Sequence, residues 1–335
     1  MVSGTLEDPD QPRGEHSRVS VIIPVFDDVT HLQQAIDSVL SQVPSVAELV
    51  IVDDGSTDGS GELAERACHD PRVRVIHQRN AGPGAAANAG LGSVTGTHVL
   101  LVDSDDWLEP GALQELLALV QQWDPDVVSF GARVVDADRQ PLPAHAHYAK
   151  PDITPAITGT AYYRRVQATG WMTASSKTYL WRRAYLEDIR LRVPQTYIYE
   201  DEYFTPIAVL CAHTIVSTSK SLYVRMNRPG SLTMRPLSIF NTEQRIESAA
   251  MLRDAAPVVA ETAGPGAGDL LVDRSRRLAR AALVEAEHFG GARQAVAMLR
   301  ERLGTGPNAL GFVGWLMTIR IRARAPRSAH LGAGP

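Results

Sequence analysis

Val99-Leu100-Leu101-Val102 runs directly into Asp103-Ser104-Asp105-Asp106-Trp107. Four apolar residues bounded by polar ones read as a strand buried on both faces. Three carboxylates follow within four residues. Like charges at the end of a buried strand disfavour one another's ionised form, and a metal or a cationic ligand offsets that cost. Carboxylates are hard oxygen ligands suited to Mg2+ or Mn2+, ions that also bind phosphate oxygens. The plainer reading is a solvated acidic turn ahead of the helix that Glu109-Pro110 begins, since Asp is favoured before helices.

Upstream, the same signature recurs. Val19-Ser20-Val21-Ile22-Ile23-Pro24-Val25-Phe26 reads as a first strand, rich in β-branched residues and stopped near Pro24. Thr30 is placed to cap a helix that carries Leu32, Ile36, Val39 and Leu40 on one face. Leu49-Val50-Ile51-Val52 is a second buried strand, ending in Asp53-Asp54-Gly55-Ser56, and Asp58 is placed to cap the next helix. Val73-Arg74-Val75-Ile76 is a third strand, Ala85 to Leu91 a helix of small residues, and Val127-Val128-Ser129-Phe130 a fifth strand.

Strands alternating with helices imply an α/β fold with a mainly parallel, doubly wound sheet, and such sheets bind ligands at the carboxyl ends of their strands. Asp53-Asp54 and Asp103 to Asp106 then share one edge. A single nucleotide and metal site explains that coincidence; two solvated turns do not require it.

Downstream the pattern loosens. Pro141, Pro143, Pro151, Pro155, His145 and His147 fall in a stretch without periodicity that reads as a loop or cover. The two histidines could ligate a metal, although a solvated loop accounts for them. Trp171 to Trp181 carries Lys177. Tyr199-Glu200-Asp201-Glu202-Tyr203-Phe204 opens an apolar helix, where acidic residues also complement the helix dipole. Ile215-Val216 and Leu222-Tyr223-Val224 look like a hairpin, followed by Arg225, Arg228 and Arg235. Guanidinium groups there could grip a diphosphate or simply line a solvated edge. From about residue 238 to 303 Leu271, Leu278, Ala282 and Phe289 recur at helical spacing and predict a helical C-terminal extension.

Composition bounds the rest. The chain has 335 residues, with 44% hydrophobic and 21% charged residues, values of an ordinary globular protein. A formal net charge of -5 gives no support to nucleic-acid binding, which needs a basic stripe. Cys68 and Cys211 provide no disulfide framework, which fits a reducing cytoplasm. Residues 1–18 are polar, lack an apolar core and read as a disordered tail rather than a signal peptide. Leu310 to Ile321 is apolar, carries Trp315 and is accompanied by Arg320, Arg322, Arg324 and Arg327. It is too short to span a bilayer and reads as a dimer contact or core-covering helix, with an interfacial helix at an anionic membrane as the alternative.

In this order, Val21-Ile22-Ile23-Pro24-Val25-Phe26, Asp53-Asp54-Gly55-Ser56-Thr57-Asp58, Asp103-Ser104-Asp105 and Glu200-Asp201 resemble the family 2 inverting glycosyltransferases of GT-A fold, bacterial type. The resemblance covers roughly residues 19–235, with 236–335 as the helical extension. It implies a GT-A domain whose Asp54, beside Asp53, meets the donor's base, typically uracil, while Pro24 and Phe26 line its ring. Asn80, Gly82, Asn88 and Ser104 fall in the nucleotide-sugar site that it implies. Where the family often has Ala-Arg-Asn, this chain has Ala86-Ala87-Asn88. Asp103 would face the ribose or a metal-bound water, and Asp105, with Asp103, would hold Mn2+ or Mg2+. Asp201, preceded by Glu200, would be the general base toward an acceptor hydroxyl. The acceptor would be a glycan, a lipid-linked precursor or a small molecule; homo-oligomers and contact with the inner face of the membrane are open.

Two rivals differ in class. Gly82-Pro83-Gly84-Ala85-Ala86-Ala87 fits the dinucleotide fingerprint of a Rossmann oxidoreductase, with Asp103 about twenty residues on. The fingerprint normally sits at the first strand, however, and leaves Asp53-Asp54 without a purpose. A non-catalytic nucleotide-sugar-binding scaffold is the second, and retention of Asp54, Asp103, Asp105 and Asp201 argues against it.

Overall fold

Continuous apolar runs form the centre of a nine-stranded sheet because both of its faces are covered. The computed structural model describes residues 17–142, 148–170, 174–196, 198–228, 231 and 236–303. Strands β1 (Val19–Val25), β2 (Val46–Asp53), β3 (Val73–His77) and β4 (His98–Leu101) pair in parallel in the order β3-β2-β1-β4. Helices α1 (Val29–Leu40), α2 (Ser60–Ala67) and α3 (Pro83–Leu91) connect them. Val21, Ile22, Ile23, Leu49, Val50, Ile51, Val99 and Leu100 are fully buried, and each such side chain contributes about 1.5–3 kcal/mol of transfer free energy.

Pro24 sits inside β1 at no loss of pairing. The ladder to β4 ends at Ile22↔Leu101, so at Pro24 only the β2 side, where it lies opposite Val52, remains paired. The cap of α1 is Asp28, two residues before Thr30. Asp58 serves two helix starts: one oxygen accepts from the Ser60 N–H at 2.9 Å and the other from the Val29 N–H at 2.9 Å. The small residues of α3 follow from close approach. A Cβ on Gly90 would lie 2.4 Å from Ile22 Cγ2, and one on Gly84 2.1 Å from the Pro194 carbonyl oxygen.

Beyond β4 short antiparallel pairings join the parallel core. The short β5 (Trp107–Leu108), helix α4 (Ala112–Trp123), β6 (Val127–Val135), β7 (Ile153–Ile157), α5 (Gly159–Ala168), β8 (Tyr179–Arg182), α6 (Arg183–Asp188), α7 (Glu200–Cys211) and β9 (Ile215–Met226) follow in the chain. The strand order continues β4-β8-β6-β9-β5, with β7 pairing β9. Strand β8 is antiparallel to both neighbours, placing Trp181 opposite Val99 and Val127. Trp181 is fully buried, meets Phe204 of α7 edge-on at 5.6 Å and so fixes the helix that begins with Glu200.

Two local expectations fail for identifiable reasons. Residues 215–226 are not a hairpin but one strand parallel to β6, with a bulge: Phe130 pairs Thr218 and Gly131 pairs Ser221, leaving Ser219 and Lys220 extra. Gly131 makes room for it, since a Cβ there would lie 3.1 Å from the Lys220 carbonyl oxygen. Pro151 and Pro155 do not mark a wholly irregular stretch, because Ile153–Ile157 is a strand paired only with β9, at a position that tolerates proline. His145 and His147 lie outside the described residues.

The chain divides into two compact units: residues 1–235 with 256–270, and 236–255 with 271–335. Helices α8 (Ile239–Ala263), α9 (Pro265–His288) and α10 (Ala292–Leu303) form the described C-terminal residues. Within the second unit Ile246, Ala249, Leu252, Leu271, Leu278, Ala279 and Ala282 are buried, and Arg245 meets Glu285 at 2.7 Å. No described helix is long and apolar enough to cross a membrane. Residues 1–16 and 304–335, with the proposed tail and interfacial segment, lie outside the described residues.

Candidate active site

Parallel strands deliver their carboxyl ends to one edge, and the acidic motifs collect there. At the end of β2, Asp53 and Asp54 are both buried and both hydrogen-bonded within the protein. Asp53 accepts from the Ser56 N–H at 2.9 Å and lies 2.8 Å from His77 Nδ1, whose Nε2 meets Glu65 at 2.7 Å. Burial pushes the Asp53 carboxyl up, but the Ser56 bonds and His77 together hold it below its ordinary value. Glu65 and Asp53 in turn raise the His77 imidazole. Asp54 accepts from Gln78 Nε2 at 2.6 Å, from the Ala81 N–H at 2.9 Å and from the Gly82 N–H at 2.8 Å. Its carboxylate thereby folds residues 78–82 into a fixed loop, and Gly82 supplies the left-handed φ of +89° that the loop needs.

The remaining base-side candidates have different surroundings. Phe26 is 49% exposed at the end of β1, and Asn80 is also exposed. Asp27 (φ +48°) accepts from the Thr57 N–H at 2.7 Å, docking the turn after β1 on the Asp53-Asp54 turn. Asn88 bonds Val193 with both ends of its amide, at 2.7 and 3.0 Å. Together with the contact of Gly84 on Pro194, this gives the glycine-rich loop a packing role, which removes the geometric reason for the dinucleotide reading.

The motif after β4 separates into three environments. Asp103 is 43% exposed. Asp105 is buried more deeply and accepts from Arg228 Nε at 3.0 Å; the same guanidinium reaches Asp28 at 3.1 Å through Nη2. Burial and the Asp103 charge raise the Asp105 carboxyl, with Arg228 opposing them. Ser104 donates to Asp28 at 2.7 Å, and His31 Nδ1 lies 2.6 Å from it. Asp106 points inward, accepting from the Tyr223 hydroxyl and the Met226 N–H, each at 2.8 Å. Burial and the neighbouring Asp103 and Asp105 push its carboxyl well up. It is a structural anchor. Arg225 holds a different partner from Arg228: it lies over the Tyr148 ring and donates to the Tyr148 hydroxyl.

The third cluster joins the halves of the site. Lys177, in a 3-10 turn at Ser176–Thr178 leading into β8, sends its ammonium 2.9 Å from Asp201, 3.4 Å from Asp103 and 3.7 Å from Glu200. Burial and the Asp201 charge raise the Glu200 carboxyl to about 7 against the pull of Lys177. For Lys177, burial pushes the ammonium down, but Asp103, Asp201 and Glu200 together carry it well up. Both acidic residues sit in the first turn of α7, where the helix dipole favours negative charge.

Asp103 and Asp105 offer hard oxygen donors from two side chains, which suits an ion that completes its shell with phosphate oxygens and water. Among the described residues no group of three or more His, Cys, Asp or Glu could hold a metal by itself. Sequence reasoning left Lys177 without a role and missed Asp28. The signal for Asp28 was present, since β1 also ends in an acidic pair, Asp27-Asp28.

The family model described as glycosyl transferase family 2 matches residues 20–190, half of the chain, and spans the parallel strands and both Asp motifs. The chain belongs to glycosyl transferase family 2. It is similar to "Uncharacterized glycosyltransferase EpsJ" of Bacillus subtilis, 32% identical over 225 residues, covering 65% of this chain and 63% of EpsJ. "Succinoglycan biosynthesis protein ExoO" of Rhizobium meliloti is 30% identical over 222 residues, covering 64% and 62%. The chain thus spans less than two thirds of these relatives' length. Among solved structures, Staphylococcus aureus TarS 1-349 in complex with UDP-GlcNAc superposes with a TM-score of 0.65 at 22% identity, covering 91% of this chain and 88% of that one. The mannosyltransferase PcManGT of Pyrobaculum calidifontis, in complex with GDP-Man and Mn2+, gives 0.53 at 18% identity, covering 93% and 83%. These likenesses establish the family 2 GT-A fold, a mixed sheet flanked by helices.

Proposed function

We propose that this chain is a metal-dependent inverting glycosyltransferase that moves a sugar from a UDP-sugar to an acceptor hydroxyl, with Asp201 as general base. The observation that carries the reading is the Lys177 ammonium, which gathers Asp103 of the donor-side motif with Glu200 and Asp201 of the late helix. The UDP-GlcNAc named for the TarS complex supports the donor class, and the Mn2+ named for PcManGT supports a divalent ion.

Pro24 and Phe26 flank the donor's base, and the loop that Asp54 fixes, with Asn80 and Gly82, shapes its pocket. Asp103 and Asp105 would hold Mn2+ or Mg2+, which would offset the charge of the departing diphosphate. Arg228 supplies a guanidinium on the diphosphate side; Arg225 and Ser104 support that edge. Asp201 takes the proton of the acceptor hydroxyl as its oxygen attacks the anomeric carbon from the face opposite the diphosphate. The new glycosidic C–O bond forms as the bond to the diphosphate breaks, and the configuration inverts. Glu200, raised to about 7 by its surroundings, is the second proton-accepting group at that helix start. Succinoglycan biosynthesis, named for ExoO, supports an acceptor that belongs to glycan assembly.

The test is a thermal-shift panel of UDP, GDP, dTDP, CMP and NAD with and without Mn2+, followed by release of free nucleoside diphosphate from the matching sugar donor. Ligand at a hundred times its dissociation constant stabilises the folded chain by about 2.7 kcal/mol, a visible shift. UDP shifting the midpoint with Mn2+, and turnover on adding acceptors, is the expected result. Donor binding without any release of diphosphate would establish the scaffold instead.

A further inference from the structure

Lys177 belongs to none of the motifs that define the site, yet its ammonium is where they meet. Asp103 follows β4, whereas Glu200 and Asp201 open α7, and no hydrogen bond joins the side chain of Asp103 to either of them among the described residues. Only 12% of the Lys177 side chain is exposed. The contact to Asp201, at 2.9 Å, is a charge-assisted hydrogen bond, and those to Asp103 at 3.4 Å and Glu200 at 3.7 Å are electrostatic. Three carboxylates brought this close repel unless a cation sits among them. A compact ammonium with three donors fits that task better than a planar guanidinium, which engages one carboxylate as a fork.

We propose that Lys177 is a positioning residue for the transfer reaction: its ammonium clamps the Asp201 carboxylate at the start of α7 and ties it to Asp103 at the end of β4. The inference rests on the reading of Asp201 as the general base. Without the ammonium, Asp201 is repelled by Glu200 and Asp103, its carboxylate rotates away, and the base no longer faces the donor edge. Arg228 plays no part in this clamp, since its guanidinium is engaged by Asp105 and Asp28.

Lys177→Met keeps the length and apolar stem of the side chain and removes the charge. With Mn2+ and UDP the variant should keep a thermal shift close to that of the wild type. Its kcat should fall roughly 10²-fold, the scale of a misplaced catalytic group, with little change in donor KM. Lys177→Arg should recover part of that loss. An unchanged kcat in Lys177→Met, or a loss confined to donor KM, overturns the proposal. A stability cycle on Lys177→Met, Asp201→Asn and the double variant tests the same contact without relying on turnover. The single Lys177 change should lower the melting temperature by roughly 5–10 °C, and the double variant should recover much of it. Additive losses overturn the clamp. A wild type that turns over no nucleotide-sugar overturns the reading of the site, and the cycle still decides the clamp.

Discussion

Asp54, at the end of β2, is surrounded by three N–H donors of a single loop, whereas Asp105, at the end of β4, leans on a guanidinium from beyond β9. Both are carboxylates at the ends of buried parallel strands. The first is satisfied by two backbone N–H groups and a neutral side-chain amide of one loop, so releasing it means loosening residues 78–82. The second, like Asp103 and Asp201 around Lys177, is satisfied by a cation on a long side chain. A cation can be exchanged for another cation, or drawn off by an anionic ligand, without disturbing the backbone. On the proposed reading, the side that takes the donor's base is held by a loop of the chain itself, and the carboxylates around Arg228 and Lys177 are held by side chains.

The largest effect is expected for Asp201→Asn. It should leave UDP binding nearly intact and cut transfer by roughly 10²-fold or more; undiminished transfer would move the base elsewhere. Asp54→Ala tests the opposite side. It strands the Gln78, Ala81 and Gly82 donors and should destabilise the fold by about 2 kcal/mol, visible in urea unfolding, with donor binding lost alongside. If donor binding is lost at wild-type stability, Asp54 contacts the ligand rather than building the loop.

Asp105→Ala should weaken Mn2+-dependent UDP binding about tenfold, or 1.4 kcal/mol, with little change in melting temperature. An equal loss without metal would place the ion on other residues. The smallest effect belongs to His77. Its imidazole is raised in the folded state, so it contributes stability that is fully present below its unfolded value near 6.5 and lost as pH rises through the folded one. His77→Gln should accordingly lower the melting temperature more at pH 6 than at pH 8.5. The ring is half exposed, so solvent screening keeps the difference small.

The same contrast explains what could be read from the sequence. The parallel strands announce themselves as apolar runs, and the acidic motifs stand out against them. The bulge at Ser219-Lys220 imitates a hairpin turn because a polar break in an apolar pattern looks alike in both cases. Strand β8 is four residues long, too short for periodicity to separate from its surroundings. The carboxylates were legible, and so was Arg228 as a candidate, but the pairing of carboxylates with cations was not. Arg228 bonds a residue 123 positions away and Lys177 one 24 positions away, and no local pattern encodes such pairings. The packing role of the Asn88 amide was hidden for the same reason.

That amide also sets a schedule for the nascent chain. Its partner, Val193, lies 105 residues further on, and Gly84 is shaped for Pro194, the next residue. At a synthesis rate of roughly 5–20 residues per second, α3 emerges some 5–20 s before the segment that completes its outer face. Strands β1 to β4 can assemble in that interval, but the Gly84 end of α3 lacks its Pro194 contact until residue 194 has left the ribosome. The first half of the site is built early and waits for the second.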